Sequence, residues 1–166
     1  MIRDVHIDDA KQLVDIYNYY VLHSIVTFDD VPLQSKAFED KISTINAGFP
    51  FIIFEEDDEI LGYAYAGKWR QKPAYKNTVE STVYVKNGVH GKRIGTQLYA
   101  KLLELIKQQN YHTVIGGLTL PNDASVKLHE RFGFHEVAHF KEVGLKFGKW
   151  LDVGFWQLIF ELYDYI

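Results

Sequence analysis

The chain has 166 residues, a formal net charge of −4 and no cysteine. This length predicts one domain over residues 1–166, with a core large enough to be stable without a metal or a disulfide. The missing cysteines exclude disulfides, zinc-thiolate sites and cysteine nucleophiles. Since acidic and basic residues are interspersed and no run approaches the roughly 20 apolar residues of a membrane span, we expect a cytoplasmic protein without nucleic-acid or membrane partners.

The first predicted elements are a short strand and two helices. The strand covers Ile2 to Val5. Asp8 or Asp9 is expected to cap the first helix, whose apolar residues recur at helical spacing. Ser35 is expected to cap the second helix, and Gly48 is placed to end it.

Three strands are predicted next. Phe51–Phe54 and Ile60–Ala66 form a hairpin whose acidic tip, EEDDE, is expected to be exposed. Thr78–Val85 is the third strand, and it leads into a stretch rich in glycine and basic residues.

The second half of the chain alternates helices and strands. The predicted order is a helix at Gly91–Gln109, a strand at Thr113–Leu118, a helix at Asp123–Phe132 and strands at Phe134–Val143 and Asp152–Glu161. The complete order, β-α-α-β-β-β-α-β-α-β-β, predicts an α/β fold with a mixed seven-stranded sheet flanked by helices.

The stretch VHGKRIGTQL, residues 89–98, joins a predicted strand to a predicted helix. Free backbone N–H groups, the positive end of a helix dipole and two cations would suit a diphosphate. The glycine spacing fits neither the Walker pattern nor the dinucleotide-binding pattern. From these residues alone, an ordinary loop-to-helix junction remains the alternative.

This stretch resembles the cofactor motif of the GNAT N-acetyltransferases, Gln/Arg-x-x-Gly-x-Gly/Ala, whose loop amides hold the pyrophosphate of acetyl-CoA. Gly95 matches the last position, whereas His90 and Arg93 replace the first residue and the middle glycine. A residue with helical φ still donates its N–H, so we expect Arg93 to remove no donor as long as the positive φ of glycine is not required. The resemblance implies acetyl-CoA as co-substrate, no metal, and a set of cofactor-binding residues. They are Val83, Tyr84, Val85, His90, Gly91, Lys92, Arg93, Gly95, Thr96, Asn122 and Ser125.

Within that family the sequence is most similar to the phosphinothricin N-acetyltransferases. The segments that carry this resemblance are AYAGKWRQKPAY, ESTVYV, LPNDASVKLHERFGF and GKWLDVGFWQL, with a looser match from Ile16 to Phe28. It implies acetylation of the amino group of a small amino-acid analogue, of the phosphinothricin or methionine sulfoximine type, by a homodimer. In the family Asn122 would lie along the pantetheine arm, although spacing alone equally fits a helix cap.

An ammonium group must lose a proton before it attacks a thioester, and Glu80 and His129 are the candidate catalytic residues. The sequence leaves open which of them is the base. Backbone N–H groups of a bulged strand around Thr82 to Val85 are expected to stabilise the oxyanion. No residue pattern indicates a covalent acetyl-enzyme, so direct transfer in a ternary complex is expected.

The substrate would carry a carboxylate and a second polar or anionic group, which calls for cations in the cleft. From the residues alone, the loop around Arg70 and Lys72 could equally be a solvated basic loop. The family resemblance implies that it binds substrate, with the two cations in reversed order here. The implied substrate-binding residues are Phe28, Trp69, Arg70, Lys72, Tyr75, Thr82 and Tyr84.

Two other functions fit parts of the sequence. One is acetylation of a different amine, such as a polyamine, an aminoglycoside or a protein N-terminus, although a cationic substrate would favour an acidic cleft rather than the loop with Arg70 and Lys72. The other is non-catalytic binding of coenzyme A, suggested by the departures at His90 and Arg93.

Overall fold

A computed structural model describes residues 1–89 and 92–161 of the chain. Within these residues no helix has the length and apolar character needed to cross a membrane. The strands and α-helices follow the order predicted from the sequence. They are β1 (Ile2–Asp4), α1 (Ala10–His23), α2 (Ser35–Asn46), β2 (Phe51–Glu56), β3 (Glu59–Lys68), β4 (Thr78–Val85), α3 (Ile94–Gln108), β5 (Thr113–Leu120), α4 (Asp123–Arg131), β6 (His135–Lys146) and β7 (Lys149–Ile159).

All of these strands form one sheet in the order β1-β2-β3-β4-β5-β7-β6. Neighbouring strands are antiparallel except β4 and β5, which are parallel. The predicted mixed seven-stranded sheet is therefore confirmed. A parallel pair needs a crossover connection, and α3 supplies it between β4 and β5.

The sheet opens between β4 and β5. The two strands pair only where Thr78–Glu80 faces Thr113–Ile115, although both continue beyond that point. On its other edge β4 pairs with β3 from Val79 to Val85 without a register shift. The bulge expected around Thr82 to Val85 is therefore absent, and the gap arises because β5 diverges from β4.

Helices cover both faces of the sheet. Apolar residues of α1 and α2, including Leu13 and Phe38, pack with Tyr63 on one face. On the opposite face, α3 packs its stripe of apolar residues, including Leu102, against Ala64 and other strand residues. Because side chains alternate along a strand, neighbouring residues of β3 and β4 contact different helices.

Two helix caps differ from the sequence predictions. A single 3₁₀ turn at Ile7–Asp9 precedes α1, and the Asp9 carboxylate accepts hydrogen bonds from the His6 N–H at 2.7 Å and from Arg3. Asp9 stands at the N-cap position of α1, as predicted, but its side chain makes no cap bond to the helix because stronger partners occupy its oxygens. Ser35 is the first residue of α2, and Gln34 stands at the cap position without a side-chain hydrogen bond.

Candidate active site

A cleft of about 470 Å³ enters the sheet where β4 and β5 separate. Residues from β4, β5 and α4, the start of α3, α1 and the segment after α1 line it. The cleft brings together nine of the residues that the sequence singled out. They are Glu80, Thr82, Val83, Tyr84, Val85, Gly95, Asn122, Ser125 and His129.

The β4 backbone presents polar groups to this gap. The Lys86 N–H bonds to the Leu61 carbonyl on the β3 side, whereas the Val85 carbonyl accepts a hydrogen bond from the Tyr20 hydroxyl at 2.5 Å. Since successive residues of an extended strand direct their N–H and C=O groups to alternate edges, Val83 and Val85 direct theirs away from β3. The N–H and C=O of Val83 and the N–H of Val85 are available to an extended ligand lying in the gap, whereas the Val85 carbonyl already has the Tyr20 hydroxyl as a partner.

Glu80 stands at the point where the two strands part. A Cβ built on Gly117 of β5 would lie 3.4 Å from Oε1 of Glu80, so the glycine leaves room beside the carboxylate. Burial raises the pKa of the Glu80 carboxyl, and the positive charge of Arg70 partly opposes this shift. A carboxylate whose pKa is raised in this way is a stronger proton acceptor than one in water.

His129 is held tightly on α4. Its side chain is almost fully buried, and its ring lies against the rings of Tyr99 and Phe134 at centroid distances of 5.0 and 5.2 Å. Nδ1 lies 2.7 Å from the Ser125 carbonyl. A carbonyl only accepts, so Nδ1 carries the proton and, in the neutral ring, Nε2 has a free lone pair. Burial lowers the pKa of His129, which favours this neutral form, and the bond to Ser125 partly opposes that shift.

Asn122 has the role of a helix cap and also lines the cleft. Its Oδ1 accepts a hydrogen bond from the Ser125 N–H at 3.2 Å, at the start of α4. The cap interpretation is therefore confirmed. Because Asn122 and Ser125 also face the cleft, the cap places both residues beside the gap between β4 and β5.

The start of α3 departs from expectation at Arg93. This residue has φ +51° and ψ +35°, in the left-handed region, so the condition under which we expect Arg93 to remove no donor, that a positive φ is not required, is not met. The left-handed conformation is the one that favours glycine. Lys92 forms an ion pair with Glu56 of the β2–β3 hairpin tip. Thr96 is absent from the cleft wall. His90 and Gly91 lie outside the described residues.

Five of the predicted substrate-binding residues lie outside the cleft wall. The Trp69 ring contacts Phe155 edge-on at 5.6 Å, and the Arg70 guanidinium stacks on Trp69 at 4.7 Å. Phe155 in turn lies beside Gly117, which connects this loop to the Glu80 end of the cleft. The other three, Phe28, Lys72 and Tyr75, are exposed.

Sequence reasoning missed several residues of the cleft wall. They are Tyr20, Val26, Thr27, Ser81, Gly117, Leu118, Thr119, Ala124 and Leu128. Val26 and Thr27 belong to the segment after α1, far from β4 along the chain, and no local pattern marks them. No sequence pattern marks Ser81 either. In the structure its buried hydroxyl lies 2.7 Å from the Tyr99 hydroxyl, which is a structural contact.

Comparison with known proteins identifies the family. A model described as an acetyltransferase (GNAT) domain matches residues 2–154. The chain is 39% identical over 154 residues to the phosphinothricin N-acetyltransferase of Streptomyces coelicolor, covering 90% of each chain. It is 33% identical to an L-methionine sulfoximine/L-methionine sulfone acetyltransferase of Salmonella typhimurium, covering 90% of this chain and 88% of the relative. A solved putative acetyltransferase from Salmonella typhimurium, with its cofactor acetyl-CoA, superposes with a TM-score of 0.94 at 32% identity, covering 99% of this chain and 95% of that one.

Proposed function

The chain belongs to the GNAT acetyltransferase family and is an N-acetyltransferase, and we propose that it acetylates the amino group of a small amino-acid analogue of the phosphinothricin or methionine sulfoximine type. The observation that carries this proposal is the position of Glu80, a half-buried carboxylate in the cleft where β4 and β5 separate. Relatives named for these two substrates support the choice of amine.

Acetyl-CoA is the acetyl donor in this proposal, and it supplies the acetyl group as a thioester. The open edge of β4 fits an extended amide-containing arm, because Val83 and Val85 direct backbone N–H and C=O groups into the gap. Gly95 lines the same cleft at the start of α3. Lys92 and Arg93 add positive charge at that helix N-terminus, where a pyrophosphate would be stabilised.

Glu80 takes a proton from the substrate's ammonium group, directly or through one water. Its carboxylate lies on the same face of β4 as Thr82 and Tyr84, since side chains two residues apart share a face. His129 is suited to accept a proton at Nε2, since Nδ1 is already bonded to Ser125. Burial opposes the charged ring that such proton uptake would form, so the neutral ring, with Nε2 as an acceptor, is the resting form.

Transfer is direct, within a complex that holds both substrates: the amine nitrogen bonds to the acetyl carbon, the carbon–sulfur bond breaks, and coenzyme A leaves as a thiolate that takes up a proton. The chain has no cysteine, so a thioester intermediate on the protein has no nucleophile. Backbone N–H groups on the open edge of β4, with Val83 the closest to Glu80 along the strand, donate to the carbonyl oxygen on which negative charge develops. Varying both substrates should therefore give intersecting rather than parallel double-reciprocal lines.

Arg70 is the cation that we assign to the substrate's anionic groups. It acts electrostatically on Glu80, and its stacking on Trp69 holds the guanidinium at the Glu80 end of the cleft. Lys72 lies in the same exposed loop and adds a second positive charge. An amine with one carboxylate and a second anionic or strongly polar group would be complementary to this loop.

The enzyme is proposed to be one catalytic domain that works as a cytoplasmic homodimer. The β6–β7 hairpin exposes a group of large apolar side chains that are more than half exposed in the single chain. They are Phe140, Val143, Leu145, Phe147 and Trp150. An exposed patch of this kind is typical of a protein interface, and a second copy of the chain would bury it.

Purified protein mixed with acetyl-CoA and a panel of amines tests the proposal. The panel contains L-phosphinothricin, L-methionine sulfoximine, a polyamine and a peptide with a free N-terminus, and released thiol and acetylated product are both measured. We expect turnover of the first two. Preferential turnover of the polyamine or the peptide would overturn the substrate assignment, and tight acetyl-CoA binding without any turnover would indicate a coenzyme A binder.

A further inference from the structure

Lys146, at the end of β6, is a buried lysine whose ammonium binds backbone carbonyls. The residue is 4% exposed. Its Nζ donates hydrogen bonds to the carbonyls of Ser24 and Thr27, each at 2.8 Å, and lies 3.5 Å from the carbonyl of Tyr20. An ammonium has three N–H donors and loses much of its hydration on burial, so three acceptors are what a buried lysine requires.

The three acceptors belong to the end of α1 and the segment that follows it. We call residues 24–28 the wall segment, because Val26 and Thr27 within it line the cleft. The carbonyls at a helix C-terminus carry partial negative charge and lack partners within the helix, so a cation is stabilised there. Lys146 therefore connects the last turn of α1 and the wall segment to a strand more than 110 residues further along the chain.

A second contact joins the same two elements. The Phe28 ring lies on Gly144 of β6, where a Cβ would come within 2.3 Å of two ring atoms. Within the wall segment, the Thr27 hydroxyl also lies 2.7 Å from the Tyr17 hydroxyl of α1. The wall segment is thus held by β6 on one side and by α1 on the other.

The wall segment lies on the substrate side of the sheet. Tyr84 packs against Tyr17 and Tyr20 of α1, and Glu80 shares the face of β4 that Tyr84 occupies. Ser81, on the opposite face, bonds to Tyr99 of α3. An amine that reaches Glu80 therefore meets the α1 face, whereas the residues assigned to acetyl-CoA lie on β4's open edge and at the starts of α3 and α4.

We propose that Lys146 is a positioning residue for the amine substrate: it holds the wall segment in place and does not touch the substrate itself. This inference rests on the proposed function, because that function identifies the occupant of the Glu80 side of the cleft. The two substrates should therefore respond differently to substitution of Lys146: binding of the amine should weaken, and binding of acetyl-CoA should not change.

The test compares Lys146→Met, Lys146→Arg and Lys149→Met with the wild type. Methionine keeps a flexible side chain of similar length and removes the charge, and arginine keeps the charge and donors. Lys149 is the matched control because it pairs with Lys146 across the hairpin and its side chain is exposed. The measurements are KM for the amine, KM for acetyl-CoA, and hydrogen exchange of the amides in residues 24–28 without substrates.

Lys146→Met should raise the amine KM by about tenfold or more, since hydrogen bonds from a charged donor are lost, and should leave the acetyl-CoA KM within about twofold. Exchange in residues 24–28 should accelerate. Lys149→Met should leave both the amine KM and the exchange rate at the wild-type values. Lys146→Arg should change both of them less than Lys146→Met does. Unchanged exchange in a folded Lys146→Met variant, or an equal rise in both KM values, would overturn the proposal.

The exchange measurement keeps this inference separate from the proposed function. If the wild type turned over no amine, the proposed function would fail, whereas faster exchange in residues 24–28 would still support the role of Lys146 in holding the segment. If Lys146→Met does not fold, Gly144→Ala is the second variant, because its Cβ displaces Phe28. It should raise the amine KM without changing that of acetyl-CoA, and an unchanged amine KM would contradict the proposal.

Discussion

The imidazole of His129 lies directly on Gly116: a Cβ on that glycine would stand 2.4 Å from Nε2 and 2.6 Å from Cδ2. Gly116→Ala therefore forces a buried ring to move within a packed aromatic cluster. We expect a loss of about 1–3 kcal/mol in the free energy of unfolding and a fall in kcat of at least about tenfold. Gly48→Ala is the control, since nothing lies within 4 Å of its added Cβ. An unchanged kcat in Gly116→Ala would show that the position of His129 is irrelevant to turnover.

His129 also predicts a pH dependence of stability. Burial lowers its pKa below the usual value of 6.5. The unfolded chain therefore takes up a proton that the folded chain does not, and stability falls as the pH drops below about 6.5. Between about pH 7 and 5.5, the Tm of His129→Gln should fall less than the Tm of the wild type. Exposed His135→Gln is the control and should follow the wild type, and identical slopes for His129→Gln and the wild type would contradict the assignment.

The ion pair between Glu56 and Lys92 competes with any anion bound at the start of α3. Glu56→Gln frees the lysine and should lower the acetyl-CoA KM by about two- to fivefold at low salt, a modest change because the pair is partly exposed. Glu59→Gln on the same hairpin, where the carboxylate pairs with Lys86 instead, should have a smaller effect. Equal KM values for the two variants would argue against a role for Lys92 in binding the pyrophosphate.

Arg93 predicts a stability difference between two variants that both lose the guanidinium. Its φ of +51° is unfavourable for a residue with a Cβ. Arg93→Gly should therefore be more stable than Arg93→Ala by about 1 kcal/mol, measured by chemical unfolding. Both variants should show a raised acetyl-CoA KM with kcat largely intact. Greater stability of the alanine variant would rule out strain at this position.

Much of the fold follows from local patterns. The period of apolar residues predicts α3, and Thr78–Val85 is predicted with the bounds that the structure has. The caps are harder to predict, because the Asp9 carboxylate binds Arg3, whose position depends on the pairing of β1 with β2. A local sequence signal identifies candidate partners but does not decide between them.

The cleft wall is predictable where a residue lies on a predicted strand or helix, as Glu80 and His129 do. Val26 and Thr27 could not be predicted, since their place in the cleft depends on contacts with Lys146 and other distant residues. Arginine itself gives no sign of the left-handed conformation of Arg93, although the glycine that the family motif has at this position does. These features arise from tertiary contacts, which override local preference.

The rate of acetyl transfer by Glu80→Gln, at saturating acetyl-CoA and amine, tests the central claim most directly. The account predicts a rate about 10²- to 10⁴-fold below the wild type, with the acetyl-CoA Kd unchanged within about threefold. Burial raises the pKa of Glu80, so the wild-type kcat should fall as the pH is lowered and the carboxylate takes up a proton. This acidic limb of the pH–rate profile should be absent in Glu80→Gln. A wild-type rate with the acidic limb intact would contradict the assignment of Glu80 as the base.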